Sequence, residues 1–420
     1  MDKARLKAFA IQARKKLFAE ISHTIQAVAE RKIKAGPPCE AFLQLQRKIA
    51  CTDRKILAQQ AATLWFERLL AVWFLEVNGY LPGQQFFAHF TEEGFLQSDA
   101  SGSVSAKAAF LQICRKLSAV FPKLFGAQQE PWDFLLPKFG ENSFVYDFFA
   151  LPKQDFIIAQ GGQIEALGWL YQYFQAEQKE EAFNLLARNV KLKKEHIPAA
   201  TQFFTPYWLV QYMVQNSVGR VWLQACPDKA LEKKWRFYLK SQERELHKTR
   251  LKPQELTVLD PCMGSGHILV YAFELLMDIY HAQGYASKEA VREILQCNLF
   301  GLDIDDTVSA LAHFTVMMKA REYDESVLEQ PPYIHLYSLC ESNELPAQLH
   351  TEITQATDFT DRQKQILIQM LELFTDAKIY GSCLQMPPEF LPQEYRETAE
   401  ALSHARGQLV RAYLPQLTAL

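Results

Sequence analysis

The stretch 258-VLDPCMGSGHILVYAFELLMDIY-280 joins a short apolar strand to an amphipathic helix through a turn that contains two glycines. Asp260 ends the predicted strand, and Gly264 and Gly266 remove side chains from the turn, so a ligand can approach the main chain closely. The helix that follows presents main-chain N–H groups and the positive end of its dipole, which suit a carboxylate. The stretch therefore predicts a ligand site where the strand ends.

Two familiar nucleotide motifs do not fit this turn. A phosphate-binding P-loop requires a lysine before the helix, whereas here His267 follows Gly266. A dinucleotide fingerprint requires a third glycine, whereas the turn continues into apolar residues 268–270. An acid beside a helix start suits a ligand with both an ammonium and a carboxylate, such as the methionine end of S-adenosylmethionine. For His267 itself, a packing or capping role is favoured over a role as a base.

Length and composition indicate a globular protein of two or three domains, because 420 residues with 49% hydrophobic side chains can fill sizeable cores. The net charge of −3 gives no overall basic field. Residues 1–60 nevertheless hold 13 Lys and Arg against five acids. This basic end either contacts a polyanion or faces water, and the sequence leaves both readings open.

The eight cysteines are widely spaced, without a C-x-x-C pair, which is typical of reduced thiols in a cytosolic protein rather than of zinc ligands or disulfides. We predict no metal site. The N-terminal sequence is a basic amphipathic helix without the apolar core of a signal peptide. No apolar run reaches the length of about 18 residues that a membrane span needs. We therefore expect a cytoplasmic protein with no membrane contact.

The chain changes character near residue 190. Residues 1–190 carry mainly helical patterns, including one that ends at Asn78-Gly79, and their clustered aromatic side chains indicate a core. After the polar link 191–195, Thr205 and Pro206 predict a helix start, with Thr as the cap and Pro at the first helical position. A buried stripe is expected on that helix, formed by Leu209, Val210, Met213 and Val214.

Strands alternate with helices farther along. A charged excursion at 228–252, expected to be helical, precedes a strand at 256–260, and further strands are predicted at 298–306 and around 334–342. Helices are predicted from 267 to 282, closed by Gly284, at 287–297 and at 307–322. This alternation indicates an α/β fold with a parallel sheet covered on both faces. Ligands of such sheets bind at the carboxyl ends of the strands, where Asp260, Asp303 and Glu341 fall.

Three short motifs follow one another in a recognisable order: FTP at 204–206, DPCMGSG at 260–266 and GLDIDD at 301–306. They resemble motifs X, I and II of amino-methyltransferases that act on DNA. The wider wording, from about residue 160 to 385 and including DAKIYGSCL, resembles the BREX adenine-specific DNA methyltransferase family (PglX-like). This resemblance implies a helical N-terminal domain, residues 1–190, and a partial Rossmann-like class I methyltransferase domain, residues 191–420, that binds S-adenosylmethionine.

The resemblance also implies roles for individual residues at the methionine end of the cofactor. Phe204, Thr205 and Pro206 would border that end. Asp260, Gly264 and Gly266 would form the loop beneath it.

At the adenosine end, the resemblance implies that Asp303 accepts hydrogen bonds from both ribose hydroxyls. Ile304 would pack on the adenine, while Asp305 and Asp306 have an alternative role as caps of the next helix. Glu341 would accept a hydrogen bond from the exocyclic amine of the adenine, and Ser342 or Ser338 are the alternatives.

The catalytic tetrapeptide of such enzymes, Asn-Pro-Pro-Tyr, does not occur in the chain. The nearest string, Gln330-Pro331-Pro332-Tyr333, precedes a strand instead of following one, so we assign no catalytic residue. The resemblance implies that residues 191–420 hold motifs X, I, II and III and stop before the catalytic motif. Without the later strands, the central strand 256–260 would keep an open apolar edge, which favours aggregation.

The expected function is therefore that of a site-specific N6-adenine DNA methyltransferase of a phage-defence system, represented by an incomplete portion that does not methylate DNA unaided. Expected partners are double-stranded DNA, other phage-defence proteins and a complementing C-terminal methyltransferase fragment. The alternative is a non-catalytic adaptor that senses S-adenosylmethionine and binds DNA or proteins.

Overall fold

The structure of the chain is a computed structural model. It describes residues 2–32, 39–81, 86–91, 94–95, 98–99, 102–103, 106–126, 130–139, 143–193, 196–202, 205–240, 251–343, 345–388, 391–408 and 410. Among these residues, no helix combines the length and the apolar character needed to cross a membrane.

The described residues are mostly helical. Eighteen α-helices are present in this part of the chain: α1 Lys3–Ala29, α2 Glu40–Cys51, α3 Arg54–Val77, α4 Ala106–Leu117, α5 Pro122–Phe125, α6 Glu165–Phe174, α7 Ala176–Ala187, α8 Ile197–Thr201, α9 Tyr207–Asn216, α10 Val218–Ala225, α11 Lys229–Lys234, α12 His267–Ala282, α13 Ser287–Glu293, α14 Asp306–Arg321, α15 Gln348–Gln355, α16 Asp361–Leu373, α17 Ala377–Tyr380 and α18 Pro392–Ser403.

Seven strands accompany the helices in the described residues. Four of them are two-residue strands in two antiparallel pairs, β1 Phe90–Thr91 with β2 Gly94–Phe95, and β3 Ser98–Asp99 with β4 Gly102–Ser103. The other three form one sheet: β5 Val258–Asp260, β6 Leu299–Asp303 and β7 His335–Ser338.

The N-terminal helices begin and end where the sequence signals lie. Asp2 and Asp53 cap α1 and α3, each accepting hydrogen bonds from two main-chain N–H groups of the first turn. Helix α3 ends at Val77, before Asn78 and Gly79, as predicted. It is apolar on nearly all sides, so it is buried along most of its length and packs against α1 and α6.

The excess of positive charge at the N-terminal end is partly balanced by ion pairs within the structure. Six of the 13 cations in residues 1–60 pair with carboxylates among the described residues. The most buried is Arg14, which lies beside Glu177, and Lys16 binds Asp147 at 2.8 Å. Four of these six cations pair with the later acids Asp147, Glu177 and Glu181, whereas Lys32 and Arg47 pair with acids of the same 60 residues. Only part of the local excess is therefore neutralised.

The aromatic clusters of residues 104–184 form a core, as predicted. Phe144 and Phe148 pack at 5.2 Å between ring centroids, and Phe66 stacks on Phe174 at 4.2 Å. The first contact lies within one helical segment, Phe144–Ala150, whereas the second joins α3 to α6, which are distant in sequence. Large aromatic side chains therefore supply much of the buried apolar area that stabilises this region.

The parallel sheet has the strand order β5-β6-β7. Strand β5 pairs with β6 in parallel, and Asp260 lies opposite Gly301. Asn298, fully buried just before β6, donates hydrogen bonds to the carbonyls of Pro253 (2.8 Å) and Leu256 (2.6 Å) and accepts one from the Tyr280 hydroxyl. The Asn298 side chain thus holds together the residues that lead into β5 and β6.

Strand β5 forms an edge of the sheet in the described part of the chain, as the sequence analysis expected. Leu259, at its centre, keeps 60% of its surface exposed. An exposed apolar side chain on an edge strand favours pairing with another strand.

The segment from Thr205 to residue 240 departs from the sequence predictions in three respects. Pro206 keeps an extended backbone (φ −55°, ψ 140°), so α9 begins at Tyr207, one residue later than predicted, and Pro206 occupies the cap position predicted for Thr205. Of the predicted stripe, Val210 is buried but Met213 is 44% exposed. The charged excursion is helical only over α11, and its residues 241–250 lie outside the described residues.

The chain divides into two compact units. The first comprises residues 1–301 with 307–336, and the second comprises residues 302–306 with 337–420. The second unit has its own small core, built around Leu349, Ile353 and Leu402. Helices α16 and α18 pack together there and line an apolar cavity of about 440 Å³.

Candidate functional site

The glycine turn after β5 is held by its own hydrogen bonds. The Asp260 carboxylate accepts a bond from the Cys262 N–H at 3.1 Å, and the Gly266 N–H donates to the carbonyl of Met263 at 2.8 Å. Gly264 and Gly266 have φ values of +53° and +80°. Both positions lie in the left-handed region that favours glycine. The predicted turn therefore has a fixed shape that its two glycines make possible.

The two glycines have different surroundings. A Cβ atom built on Gly264 would meet nothing within 4 Å, so this part of the main chain borders open space. A Cβ atom on Gly266 would lie 3.2 Å from both the Ala312 Cβ and the Thr315 Oγ1 of α14. The Thr315 hydroxyl also donates to the carbonyl of Ser265 at 2.7 Å. Gly264 thus leaves the main chain accessible, whereas Gly266 allows the turn to pack on α14.

Gly301 of β6 packs closely against three side chains. A Cβ atom there would lie within 3.0 Å of the side chains of Met263, Leu336 and Leu269. Met263, at the centre of the glycine turn, packs directly over the strand for this reason. Sequence reasoning treated Gly301 as one letter of a motif and missed this packing role.

His267, at the start of α12, ties the turn to the residues before α9. The main chain of Thr205 forms a hydrogen bond with its ring, and the Tyr207 ring lies 6.2 Å away between centroids. Burial lowers the pKa of His267 to about 4, although the bond to Thr205 favours the charged form. The imidazole is neutral near pH 7 and serves in packing, the role that the sequence favoured.

A buried group of charges supports the same corner of the first unit. Lys319 of α14 contacts the carboxylates of Glu274 and Glu322, and the Tyr207 hydroxyl donates to Glu274 at 3.4 Å. Burial works against the charge of Lys319, but the two carboxylates outweigh it and raise its pKa. Burial, followed by the nearby Glu274, raises the pKa of Tyr207. These contacts join α9, α12 and α14.

In the second unit, the structure brings Asp303 and the chain after β7 together. The Leu339 N–H donates to the Asp303 carbonyl at 2.8 Å, and the Asp303 carboxylate accepts a bond from the Asp305 N–H at 2.9 Å. Ile304 is partly exposed beside it. Glu341 follows two residues after Leu339 and is also partly exposed. The ends of these neighbouring strands thus present two carboxylates and one branched apolar side chain.

Lys378 is a residue of this region that sequence reasoning missed. Its N–H donates to the Glu341 carboxylate at 3.0 Å, and its ammonium binds Asp306 at 2.6 Å. The only signal was its place in the DAKIYGSCL string. Of the two serine alternatives, Ser342 is buried, and its hydroxyl donates to the Leu371 carbonyl at 2.5 Å.

Gln330–Tyr333 lie before β7, at the amino end of the strand. Tyr333 is 64% exposed and packs edge-on against His335. This position agrees with the decision to leave the string without a catalytic role. Among the other predicted residues, Pro206 is exposed before α9, and Phe204 lies outside the described residues. No group of three or more potential metal ligands occurs in the described part of the chain.

Comparisons with known proteins identify the relatives of this chain. The model of the N-6 DNA Methylase family matches residues 221–331, which include the glycine turn and Asp303. The chain is 32% identical over 412 positions to the adenine-specific methyltransferase BrxX of Escherichia coli O9:H4 (strain HS), covering 82% of this chain and 33% of that protein. It is 31% identical over 408 positions to the adenine-specific methyltransferase PglX of Lacticaseibacillus casei (strain Zhang), covering 78% of this chain and 33% of that protein.

The chain spans about a third of the length of these curated relatives. The similarity runs through most of its own residues, on both sides of the glycine turn, and the family model covers the ends of β5 and β6, where Asp260 and Asp303 lie. The chain therefore belongs to the PglX-like family of BREX adenine-specific DNA methyltransferases.

Proposed function

We propose that this chain is the cofactor-binding portion of an S-adenosylmethionine-dependent, site-specific N6-adenine DNA methyltransferase that acts in phage defence. The observation that carries the proposal is the turn after β5, where Gly264 leaves the main chain open beside Asp260 and the start of α12. In this proposal, residues 1–190 are a mainly helical region and residues 191–420 are the cofactor half of a Rossmann-like class I methyltransferase domain.

The turn fits the methionine end of S-adenosylmethionine chemically. Asp260 offers an acceptor for an ammonium group, and the first N–H groups of α12 have no acceptor within the helix, so they suit a carboxylate. The open space at Gly264 is where a side chain would obstruct an approaching ligand. Thr205 and Pro206 border this end in the proposal, together with Phe204, and His267 holds the Thr205 main chain in place.

The second unit fits the adenosine end. The Asp303 carboxylate is held by the Asp305 N–H and is partly exposed, so it can accept the two ribose hydroxyls. Ile304 offers an apolar surface for the adenine ring. Glu341 is proposed to accept a hydrogen bond from the exocyclic amine, and the burial of Ser342 supports the partly exposed Glu341 over that alternative.

Bound S-adenosylmethionine supplies an activated methyl group on its sulfonium centre. The residues of this chain bind and orient it, which is the main requirement of a direct displacement. Acceptors for the amino group of an extruded adenine would come from an Asn-Pro-Pro-Tyr motif, which these 420 residues do not contain. We propose that a complementing methyltransferase segment, double-stranded DNA and other phage-defence proteins are the partners.

Isothermal titration with S-adenosylmethionine tests the cofactor site. Asp303→Ala should abolish binding, because it removes the acceptor for the ribose, whereas Asp361→Ala, on the exposed first turn of α16, should leave the affinity unchanged. Unchanged binding by Asp303→Ala would exclude the role assigned to that residue.

A methylation assay tests the reaction. The chain alone should transfer no methyl group to DNA, and addition of the complementary two-thirds of a relative such as PglX should restore transfer.

A non-catalytic adaptor that senses S-adenosylmethionine is the second candidate, and the missing tetrapeptide is the observation that favours it. Such an adaptor would bind the cofactor in the titration, yet it would show no transfer in the presence of the complementary segment. The two measurements together separate the candidates.

A further inference from the structure

The peptide unit between Ser265 and Gly266 is held by hydrogen bonds on both of its polar groups. Its carbonyl accepts from the Thr315 hydroxyl at 2.7 Å, and its N–H donates to the carbonyl of Met263 at 2.8 Å. The carbonyl and the N–H of a trans peptide point in opposite directions within one plane, so two such bonds fix the direction in which that plane faces. One of the two partners, Thr315, belongs to a different element, α14.

The bond from Thr315 is buried. Thr315 is 2% exposed and Ser265 is 4% exposed. The Thr315 hydroxyl also lies 3.0 Å from the Ala312 carbonyl within α14, but its contact with Ser265 is the shorter one. A hydroxyl has one hydrogen to donate, and a length of 2.7 Å is usual for an O–H···O bond. Because a buried carbonyl without a donor is unfavourable, loss of this hydroxyl should shift the turn.

The turn depends on an outside contact because its own residues restrict it little. Gly264 and Gly266 both have positive φ, and glycine adopts left-handed and right-handed conformations about equally readily. Gly266 is also the N-cap of α12, and it has no side chain that could cap the helix. The direction of its peptide plane therefore decides where the first N–H groups of α12 point. Thr315 sets that direction through Ser265.

We propose that Thr315 is a positioning residue, whose hydroxyl holds the glycine turn in the shape that takes the amino-acid portion of S-adenosylmethionine. The inference rests on the proposed function, because it assigns a source of affinity to the methionine end of that site. Without the hydroxyl, the turn adopts other shapes as well, and the affinity falls with the fraction of chains that have the binding shape. The adenosine portion is assigned to Asp303, Ile304 and Glu341, so its affinity should not depend on Thr315.

Titration of the whole chain with two ligands tests the proposal: S-adenosylmethionine, and 5′-methylthioadenosine, which keeps the adenosine but lacks the amino-acid portion. Thr315→Val preserves the shape of the side chain and removes the donor. It should weaken binding of S-adenosylmethionine about tenfold, as expected for one hydrogen bond, and leave that of 5′-methylthioadenosine within about twofold. Thr315→Ser keeps a hydroxyl and should retain most of the affinity for S-adenosylmethionine.

Thr63→Val is the matched control. Thr63 is a buried threonine of α3, and its hydroxyl donates to the Gln59 carbonyl at 3.0 Å within its own helix. This variant also loses a buried hydroxyl, but far from the glycine turn in sequence and in a different helix. It should leave the affinity for both ligands unchanged, and a selective loss for S-adenosylmethionine in this variant would refute the proposal.

The remaining outcomes are distinct. If the unmodified chain does not bind S-adenosylmethionine, the proposed function fails, and this inference fails with it. If folded Thr315→Val binds S-adenosylmethionine as tightly as the unmodified chain does, or loses affinity for both ligands equally, the role of Thr315 is refuted while the proposed function stands. If circular dichroism shows that Thr315→Val does not fold, Thr315→Ala removes the hydroxyl without placing a methyl group against Ser265. That variant should show the same selective loss, and full affinity for S-adenosylmethionine in it would refute the proposal.

Discussion

Replacing each of the two turn glycines by alanine tests whether Gly266 serves in packing and Gly264 in the approach of the ligand. Both substitutions place an L-residue at positive φ, +53° at Gly264 and +80° at Gly266, which costs about 1–2 kcal/mol in each case. Only Gly266→Ala also inserts a methyl group against α14, with contacts of 3.2 Å to Ala312 and Thr315. Overpacking of a core typically costs about 1–3 kcal/mol more.

Gly266→Ala should therefore lower the free energy of unfolding by about 1–3 kcal/mol more than Gly264→Ala does. Urea unfolding followed by circular dichroism measures this difference, with equal slopes required for a valid comparison. Affinity for S-adenosylmethionine should show the reverse order, because the Gly264 methyl group points into open space where the ligand is proposed to approach. Equal losses of stability in the two variants, within about 0.5 kcal/mol, would refute the assignment of separate roles.

Three further predictions follow from contacts in the first unit. Asn298→Ala leaves buried carbonyls and a hydroxyl without their partner, and should cost about 3 kcal/mol of unfolding free energy, against about 1 kcal/mol for Tyr280→Phe, in the same urea assay. The pKa of His267 is about 4 in the folded chain, whereas an unperturbed histidine, as in the unfolded chain, has a pKa of 6.5. Between these two values the unfolded state binds more protons, so the stability should fall as the pH falls from 6.5 to 4. His267→Gln should flatten that dependence by roughly 3 kcal/mol, and an unchanged slope would contradict the burial of a neutral ring. Leu259→Lys should reduce aggregation in light scattering, whereas Leu239→Lys, at 53% exposure but outside any strand, should have little effect.

Much of the fold follows from local patterns. Helix α12 begins and ends at the predicted residues, because a turn rich in glycine precedes it and Gly284 follows it in the left-handed conformation. The predicted start of α9 was wrong by one residue. Pro206 remains extended in the structure, and the main chain of Thr205 bonds to His267, which lies 62 residues later. The residues around position 205 give no indication of a partner so distant in the sequence.

Local sequence patterns also predict the candidate site only in part. The positions of Asp260 and Asp303 at strand ends are visible in the sequence, because an acid closes each apolar run. The difference between Gly264 and Gly266 is not visible, because it depends on α14, whose residues lie more than 40 positions later. Lys378 is separated from Glu341 by 37 residues, and only the folded chain shows that they meet. Long-range packing therefore decides what each motif residue does.

The buried Lys319 limits how far α12 and α14 can move relative to each other. Its ammonium is shared between Glu274 of α12 and Glu322, which follows α14, so a longitudinal slide of one helix past the other would break the contact between Lys319 and Glu274. Breaking a buried pair in this way typically costs about 3–5 kcal/mol. Helices α12 and α14 should consequently move as a single block, so any adjustment to an incoming molecule has to come from the turns at their ends.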